Sequence, residues 1–186
     1  MKIKGYKLFL ENQQTKEEID SICKKYGIKN YTINEDGTVD VDGNVGLYKK
    51  GLTKLPIKFG KVTGYFFCGH NHLTTLEGAP YWVGKYFDCN KNKLTSLKGG
   101  PSTVLSYYAC NDNQLVNFKG FPEDFEHEFI YIKDNPVSKL LKDITSEKYT
   151  KFIYWCNEYD AITDDGKVIP ERMEEVYNKL GLVYED

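Results

Sequence analysis

The sequence has 186 residues, a net charge of -2 and 40% hydrophobic residues, which fits one soluble domain with small terminal pieces. Its 15 Tyr, 10 Phe and 2 Trp residues supply ample surface for a core, so the composition excludes a disordered chain. No apolar run approaches the roughly 18 residues of a membrane span, and no apolar stretch of a secretory signal follows the basic start. We therefore expect a cytoplasmic protein that does not contact membranes.

Charge is distributed unevenly along the chain. Residues 157–186 contain nine acidic and three basic residues, a net charge of -6, which leaves +4 for residues 1–156. Arg172 is the only arginine, and the sequence shows no clustered basic face. Proteins that read nucleic acids depend on both features, so we expect no nucleic-acid partner.

Residues 1–44 predict an N-terminal cap that combines a strand, a helix and a hairpin. The strand is expected near residues 7–10. Thr15 and Glu18 have the spacing of a capping box, which predicts a helix that ends at Gly27. Alternating residues on both sides of Asp36-Gly37 predict a β-hairpin.

A repeat follows this segment and occupies residues 45–140. Residues 65–80, 86–101 and 107–122 share the order aromatic-aromatic-x-Cys-x-x-Asn-x-Leu, followed by a second Leu or Phe, a Gly and a Pro. The period of 21 is plainest in three cysteines, Cys68, Cys89 and Cys110. Degenerate copies flank these three. Because a single copy cannot bury its own apolar face, we expect an α/β solenoid of about five stacked coils.

The period also predicts what each position does. Alternation places Phe66 and Cys68 on the inner side of a short strand. Four amide side chains two residues before the next core residue are expected to form a ladder between coils: Asn71, Asn92, Asn113 and Asn135. The proline of each copy is expected to hold the return segment extended, with Val83 and Val104 facing inward.

The unit F-x-C-x-x-N-x-L-T-x-L-x-G-x-P resembles the leucine-rich repeat class, in particular its short bacterial type. Together with the segment 34–43 before it, the unit is similar to small repeat proteins encoded by tailed bacteriophages. The resemblance covers about residues 28–140. It implies coils of about 21 to 22 residues with a parallel concave sheet, and it implies binding of other proteins. A phage origin would imply the host cytoplasm and a host-directed partner.

Residues 141–186 predict a helical C-terminal region. Apolar residues from Tyr149 to Tyr159 follow helical spacing, and Pro170 opens a second stripe that ends at Gly181. A stack of coils needs a cap at its apolar end, which favours a C-terminal helical cap. The alternative is a small helical unit whose acidic outer face binds a partner.

Cysteine and histidine side chains raise the alternative of a metal-dependent or cysteine-dependent enzyme. The cysteine column faces a Phe/Leu core without C-x-x-C spacing, which favours buried free thiols. His70 lies past the strand that carries Cys68, so the two are not expected to converge. No Walker loop, nucleotide fingerprint, G-x-S-x-G or H-E-x-x-H motif is present. We therefore expect no enzyme, no cofactor and no metal.

Aromatic residues remain on the outward strand positions after the core is filled. The candidate partner-binding residues are Tyr48, Tyr65, Phe67, Tyr86, Asp88, Tyr107, Phe129 and Tyr131. Lys91, Asn111 and Asp112 would form a polar rim. Exposed aromatic residues within a polar rim are typical of binding sites, although Tyr-Tyr stacking that only stabilises a sheet, or coverage by a terminal segment, would give the same pattern.

These observations predict a protein-protein interaction module that binds its partner through the concave aromatic face. With the phage resemblance, the partner would be a host or defence protein that is inhibited by occlusion. A structural subunit that self-associates is the alternative, and the sequence does not specify an oligomeric state. A metal-dependent or cysteine-dependent enzyme fits the sequence less well.

Overall fold

The computed structural model describes residues 14–122 and 130–185. In chain order the strands are β1 (Tyr31–Ile33), β2 (Val39–Val41), β3 (Val45–Gly46), β4 (Phe59–Val62), β5 (Phe66–Phe67), β6 (Trp82–Val83), β7 (Phe87–Asp88), β8 (Thr103–Val104), β9 (Tyr108–Ala109) and β10 (Ile130–Tyr131). The α-helices are α1 (Lys16–Lys25), α2 (Tyr149–Glu158) and α3 (Pro170–Lys179). Two 3₁₀ helices, Pro136–Leu141 and Ser146–Lys148, precede α2.

The strands form two sheets that are wound as a β-solenoid of about four turns. The first sheet has the order β1-β2-β4-β6-β8, and the second has the order β10-β9-β7-β5-β3. All neighbours pair in parallel except β1 and β2. The sequence predicts about five coils and one sheet. The described residues form about four turns. Strand β10 extends the second sheet beyond these turns, and residues 123–129 before it are not among the described residues.

The return segments differ from the expectation, because they pair with one another as the first sheet. Lys61 pairs with Trp82, and Trp82 pairs with Thr103, so the segment after each proline is a short strand. Val83 and Val104 are buried, as the repeat predicts. The wall opposite the aromatic strands is therefore hydrogen-bonded to its neighbours, which fixes the spacing of the turns on both sides.

The N-terminal helix and hairpin form where the sequence predicts them. The Glu18 amide donates to Thr15 Oγ1 at 3.2 Å, and the Thr15 amide donates to Glu18 Oε2 at 2.8 Å, which completes the capping box of α1. Tyr31 pairs with Val41 in the antiparallel hairpin. The strand predicted at residues 7–10 lies outside the described residues.

Rings from successive turns fill the core between the two sheets. Phe66 and Phe87 stack with centroids 5.7 Å apart, and Phe87 lies 5.0 Å from Tyr108. All three are buried, together with Leu73, Leu76, Leu94, Leu97, Leu115 and Phe118 of the same turns. One continuous core thus runs through the stack, as expected for repeats that cannot bury an apolar face alone.

The asparagine ladder is confirmed. Asn92 Nδ2 donates to the carbonyl oxygens of Cys68 at 3.1 Å and Cys89 at 3.0 Å, while its Oδ1 accepts from the Leu73 amide at 2.9 Å. Equivalent bonds are made at Asn71, Asn113 and Asn135. Each amide therefore satisfies buried backbone groups of its own turn and of the preceding one.

The cysteine column lies in the core, as predicted. None of the five cysteines forms a disulfide, and all five are buried. Burial raises the pKa values of the Cys68, Cys89 and Cys110 thiols well above the ordinary value, because the thiolate would lose its hydration. These groups therefore act as small apolar side chains.

Helix α2 and the loop that follows it pack against the turn after β9. Phe118 meets the ring of Phe152 in α2 edge to face at 6.0 Å, and Asn157 Nδ2 donates to the Phe118 carbonyl at 3.0 Å. Lys119 forms ion pairs with Asp160 at 3.2 Å and Asp164 at 3.0 Å. No helix among the described residues is long and apolar enough to cross a membrane.

Candidate functional site

A row of rings crosses the outer face of the second sheet. Tyr65, Tyr86 and Tyr107 each precede a strand of this sheet by one residue, at successive repeat positions. The ring centroids of Tyr65 and Tyr86 are 5.0 Å apart, and those of Tyr86 and Tyr107 are 4.5 Å apart. Because each ring covers part of the next, all three are half-buried.

Two further rings extend this row. Phe67 stacks on Tyr65 with centroids 5.4 Å apart, and Tyr131 lies 6.2 Å from Tyr107. We call the five rings of Tyr65, Phe67, Tyr86, Tyr107 and Tyr131 the aromatic ladder. It spans four neighbouring strands, from β5 to β10. Its last ring, Tyr131, is 52% exposed, so the ladder is more open at that end.

Tyr48 lies apart from the aromatic ladder, in the turn that follows β3. Its ring is 43% exposed and lies 4.7 Å from the ring of His70 in the next turn. Lysines lie over two of the rings of this face. Lys49 Nζ is 5.2 Å from the Tyr48 centroid, and Lys85 Nζ is 5.1 Å from the Tyr65 centroid.

Asp88 occupies the strand position that Phe67 has in the preceding turn. Its side chain is half-buried, and its Oδ1 accepts from the Asn90 amide at 2.9 Å. Burial raises the pKa of this carboxyl, although the hydrogen bond from Asn90 and the nearby His70 oppose the rise. The carboxylate therefore stabilises the turn after β7 through this hydrogen bond, and it also forms part of the outer face of the second sheet.

The structure brings five of the eight predicted site residues into the aromatic ladder. Tyr48 lies beside His70, and Asp88 interrupts the column that begins with Phe67. Phe129 lies outside the described residues. The sequence predicts that all of these side chains are exposed, but of the seven that the structure describes only Tyr48 and Tyr131 are. The difference arises because rings one strand apart are close enough to cover one another.

Sequence reasoning misses a column of strained turn residues. Five non-glycine residues at equivalent positions have left-handed backbone conformations: Lys49 (φ 53°), His70 (φ 54°), Lys91 (φ 49°), Asp112 (φ 54°) and Asp134 (φ 58°). The period could reveal the column, since each member lies at one fixed repeat position. Its residue types vary from lysine and histidine to aspartate, so no single residue type marks the turn in every copy.

A second apolar patch lies on the outer face of the first sheet. Trp82 is half-buried under Lys61, whose Nζ lies 4.3 Å from its ring. Tyr81 and Leu105 are 59% and 45% exposed. These residues lie in or beside the return segments, for which the sequence predicts no site. The patch contains fewer rings than the aromatic ladder.

The described residues contain no group of three His, Cys, Asp or Glu side chains that could hold a metal ion. No protein-family model matches the chain, and no curated protein or solved structure is significantly similar to it.

Proposed function

We propose that the chain is a non-catalytic module that binds a partner protein through the outer face of the second sheet. The observation that carries this proposal is the aromatic ladder. Phe66, Phe87 and Tyr108 already fill the interior, so the outer rings are not needed to close the core. Aromatic side chains supply much of the energy at protein interfaces, because they bury a large area with few rotatable bonds.

We also propose that the repeats are leucine-rich repeats of the short bacterial type. The 21-residue period, the paired leucines and the asparagine ladder support this assignment. The resemblance of the unit to phage-encoded repeat proteins supports a bacterial host or defence protein as the partner. Occupation of a surface on that protein would then inhibit it by occlusion.

The test compares capture of host proteins by three forms of the chain. Tyr86→Ser removes the central ring of the aromatic ladder, and Tyr154→Ser removes an exposed ring on α2, which makes it the matched control. Immobilised wild-type and control protein should capture the same partner from a bacterial lysate. Tyr86→Ser should lower the captured amount by about tenfold or more, as expected for an interface hot spot.

Circular dichroism must accompany the capture experiment, because Tyr86 contacts two other rings. Loss of the two contacts should lower stability by roughly 1–3 kcal/mol and leave the fold intact. Equal capture by Tyr86→Ser and wild type would overturn the proposal. Light scattering that shows a stable oligomer, dispersed by Tyr86→Ser, would instead support the self-associating subunit.

A further inference from the structure

Basic side chains line the turns that follow β3, β5 and β7, directly beside the outer face of the second sheet. We call this set the basic row, and its members are Lys49, Lys50, His70, His72, Lys91 and Lys93. All are exposed except His70, which is half-buried against Tyr48. The linear sequence shows no basic cluster, because Lys49, His70 and Lys91 are 21 residues apart, as are His72 and Lys93. The solenoid assembles one by stacking the turns.

Among the described residues, no carboxylate lies within ion-pair distance of a lysine of the basic row. The ion pairs among the described residues join Lys24, Lys98 and Lys119 to other parts of the chain. Asp88 is the only acidic residue of these three turns and the strands before them, and it accepts from the Asn90 amide. The lysines of the row therefore form no ion pair among the described residues, and their positive charge attracts an anionic partner.

The turns of the basic row share a left-handed backbone position with the two turns that follow them. Lys49, His70 and Lys91 all adopt the left-handed conformation, with φ between 49° and 54°. Residues with a β-carbon are disfavoured there, whereas glycine adopts it freely and asparagine tolerates it. Histidine and aspartate are also enriched in this conformation, so Lys49 and Lys91 are the unusual members. Strained non-glycine residues of this kind cluster at ligand-binding sites.

The sign of the charge changes along the same column. The next two turns carry Asp112 and Asp134 at the left-handed position. The basic row thus spans three turns, or two inter-strand steps of roughly 4.8 Å each, a distance of about 10 Å. About three residues of extended chain cover that distance.

We propose that the basic row binds an acidic segment of the partner protein, an inference that rests on the proposed function. The segment contains about three to five extended residues with at least two carboxylates. Neutral or basic residues follow it, because Asp112 and Asp134 repel further acids. Apolar side chains of the same segment contact the aromatic ladder. The change from basic residues to Asp112 and Asp134 along the column determines in which direction the bound segment runs.

A protein segment fits this surface better than single-stranded nucleic acid does. Bases stack on the open faces of aromatic rings. In the aromatic ladder Tyr65 and Tyr86 are tilted by 40°, and Tyr86 meets Tyr107 edge to face at 78°, so the rings cover one another. Tyr48 is flanked by His70 and Lys49. The row also contains no arginine, the residue that pairs bidentately with phosphate.

The test uses a bead library of random octapeptides and a dT12 oligonucleotide as probes. Wild-type protein should select peptides enriched in Asp and Glu together with Leu or aromatic residues, by roughly threefold over the input. The Lys91→Glu/Lys93→Glu variant should lose this enrichment. The matched control is Lys139→Glu/Lys142→Glu, which makes the same charge change at exposed lysines outside the row and should keep it. Binding of selected peptides should weaken with added salt.

Each outcome either supports or overturns the proposal that the basic row binds an acidic segment. Selected peptides without acidic enrichment, or identical selection by the row variant and wild type, would overturn the proposal. Tighter binding of dT12 than of selected peptides, lost in the row variant, would assign the row to nucleic acid instead. Failure here is distinguishable from failure of the proposed function. If Tyr86→Ser abolishes capture of the protein partner while the row variant captures it normally, the module stands and only the acidic segment fails.

Discussion

Single amide side chains control how closely the turns of this solenoid approach. Asn92 joins the Cys68 and Cys89 carbonyls to the Leu73 amide, and all of these groups are withdrawn from water. An unsatisfied buried backbone group costs about 1–3 kcal/mol of folding free energy. Because one asparagine satisfies three such groups, its loss costs more than a single hydrogen bond. The repeat of Asn at one position is therefore a structural requirement of the turn.

Asn92→Ala should lower the free energy of unfolding by roughly 2–4 kcal/mol, because it strands more than one buried polar group. Urea denaturation measures the change. Asn178→Ala on the exposed side of α3 is the control and should cost less than about 0.5 kcal/mol. Equal effects of the two substitutions would contradict the role of the ladder.

The five cysteines should be unreactive in the native protein. Burial raises the pKa values of all five thiols, which suppresses the thiolate that reacts with a disulfide reagent. We expect no fast reaction at about pH 8 in buffer and release of five equivalents in denaturant. Rapid native modification of Cys89 would show that the column is open to solvent.

At the scale of elements, the corners between the two sheets require close approach of successive turns. A β-carbon at Gly84 would lie 2.2 Å from the carbonyl oxygen of Thr63 in the preceding turn. At Gly46, in the first strand of the second sheet, a β-carbon would meet nothing within 4 Å. The two glycines therefore differ in what surrounds them, although both lie in or beside short strands.

Gly84→Ala should destabilise the protein by about 1–3 kcal/mol, since a backbone oxygen cannot move away as a side chain can. Gly46→Ala should change stability by less than about 1 kcal/mol. Thermal unfolding of both variants measures the difference. A larger loss of stability in Gly46→Ala than in Gly84→Ala would mean that the turns do not pack in this register.

Element-level prediction from sequence succeeds where a period or a cap supplies the signal. Thr15 and Glu18 predict the start of α1, and the 21-residue period predicts which residues of β5, β7 and β9 are buried. The first sheet is missed because the proline of each copy predicts an extended return segment but does not indicate that these segments pair with one another.

The sequence predicts where the residues of the candidate site lie, but it does not predict how far their side chains are buried. The period identifies Tyr65, Tyr86 and Tyr107 as one outward column. Their mutual burial depends on the spacing between turns, which the sequence does not state. The basic row is missed for a similar reason, because residues such as Lys91 and His70 become neighbours only after stacking.

At the scale of the whole molecule, the C-terminal helices and the solenoid share a core. Phe118 takes the place of the second Leu in the third copy of the repeat, and its ring contacts Phe152 of α2. In a stack where each unit contacts only its neighbours, the loss of one interface destabilises the units next to it most.

Phe118→Ala should lower the free energy of unfolding by about 3–5 kcal/mol, because it opens a cavity at this junction. Hydrogen exchange should show greater loss of protection in α2 and α3 than in β2 and β4. Leu105→Ala, at a position that is 45% exposed, is the control and should leave both regions protected. Uniform loss of protection would argue for a single cooperative unit.

The stacking of turns also determines how the molecule would respond to tension. The hydrogen bonds of both sheets join one turn to the next, so force applied along the stack loads each interface in series. Interfaces loaded in this way rupture one after another, and each rupture frees one 21-residue turn. Such a turn lengthens the chain by about 70 Å when fully extended. Stretching a single molecule in an optical trap should therefore give a staircase of nearly equal steps.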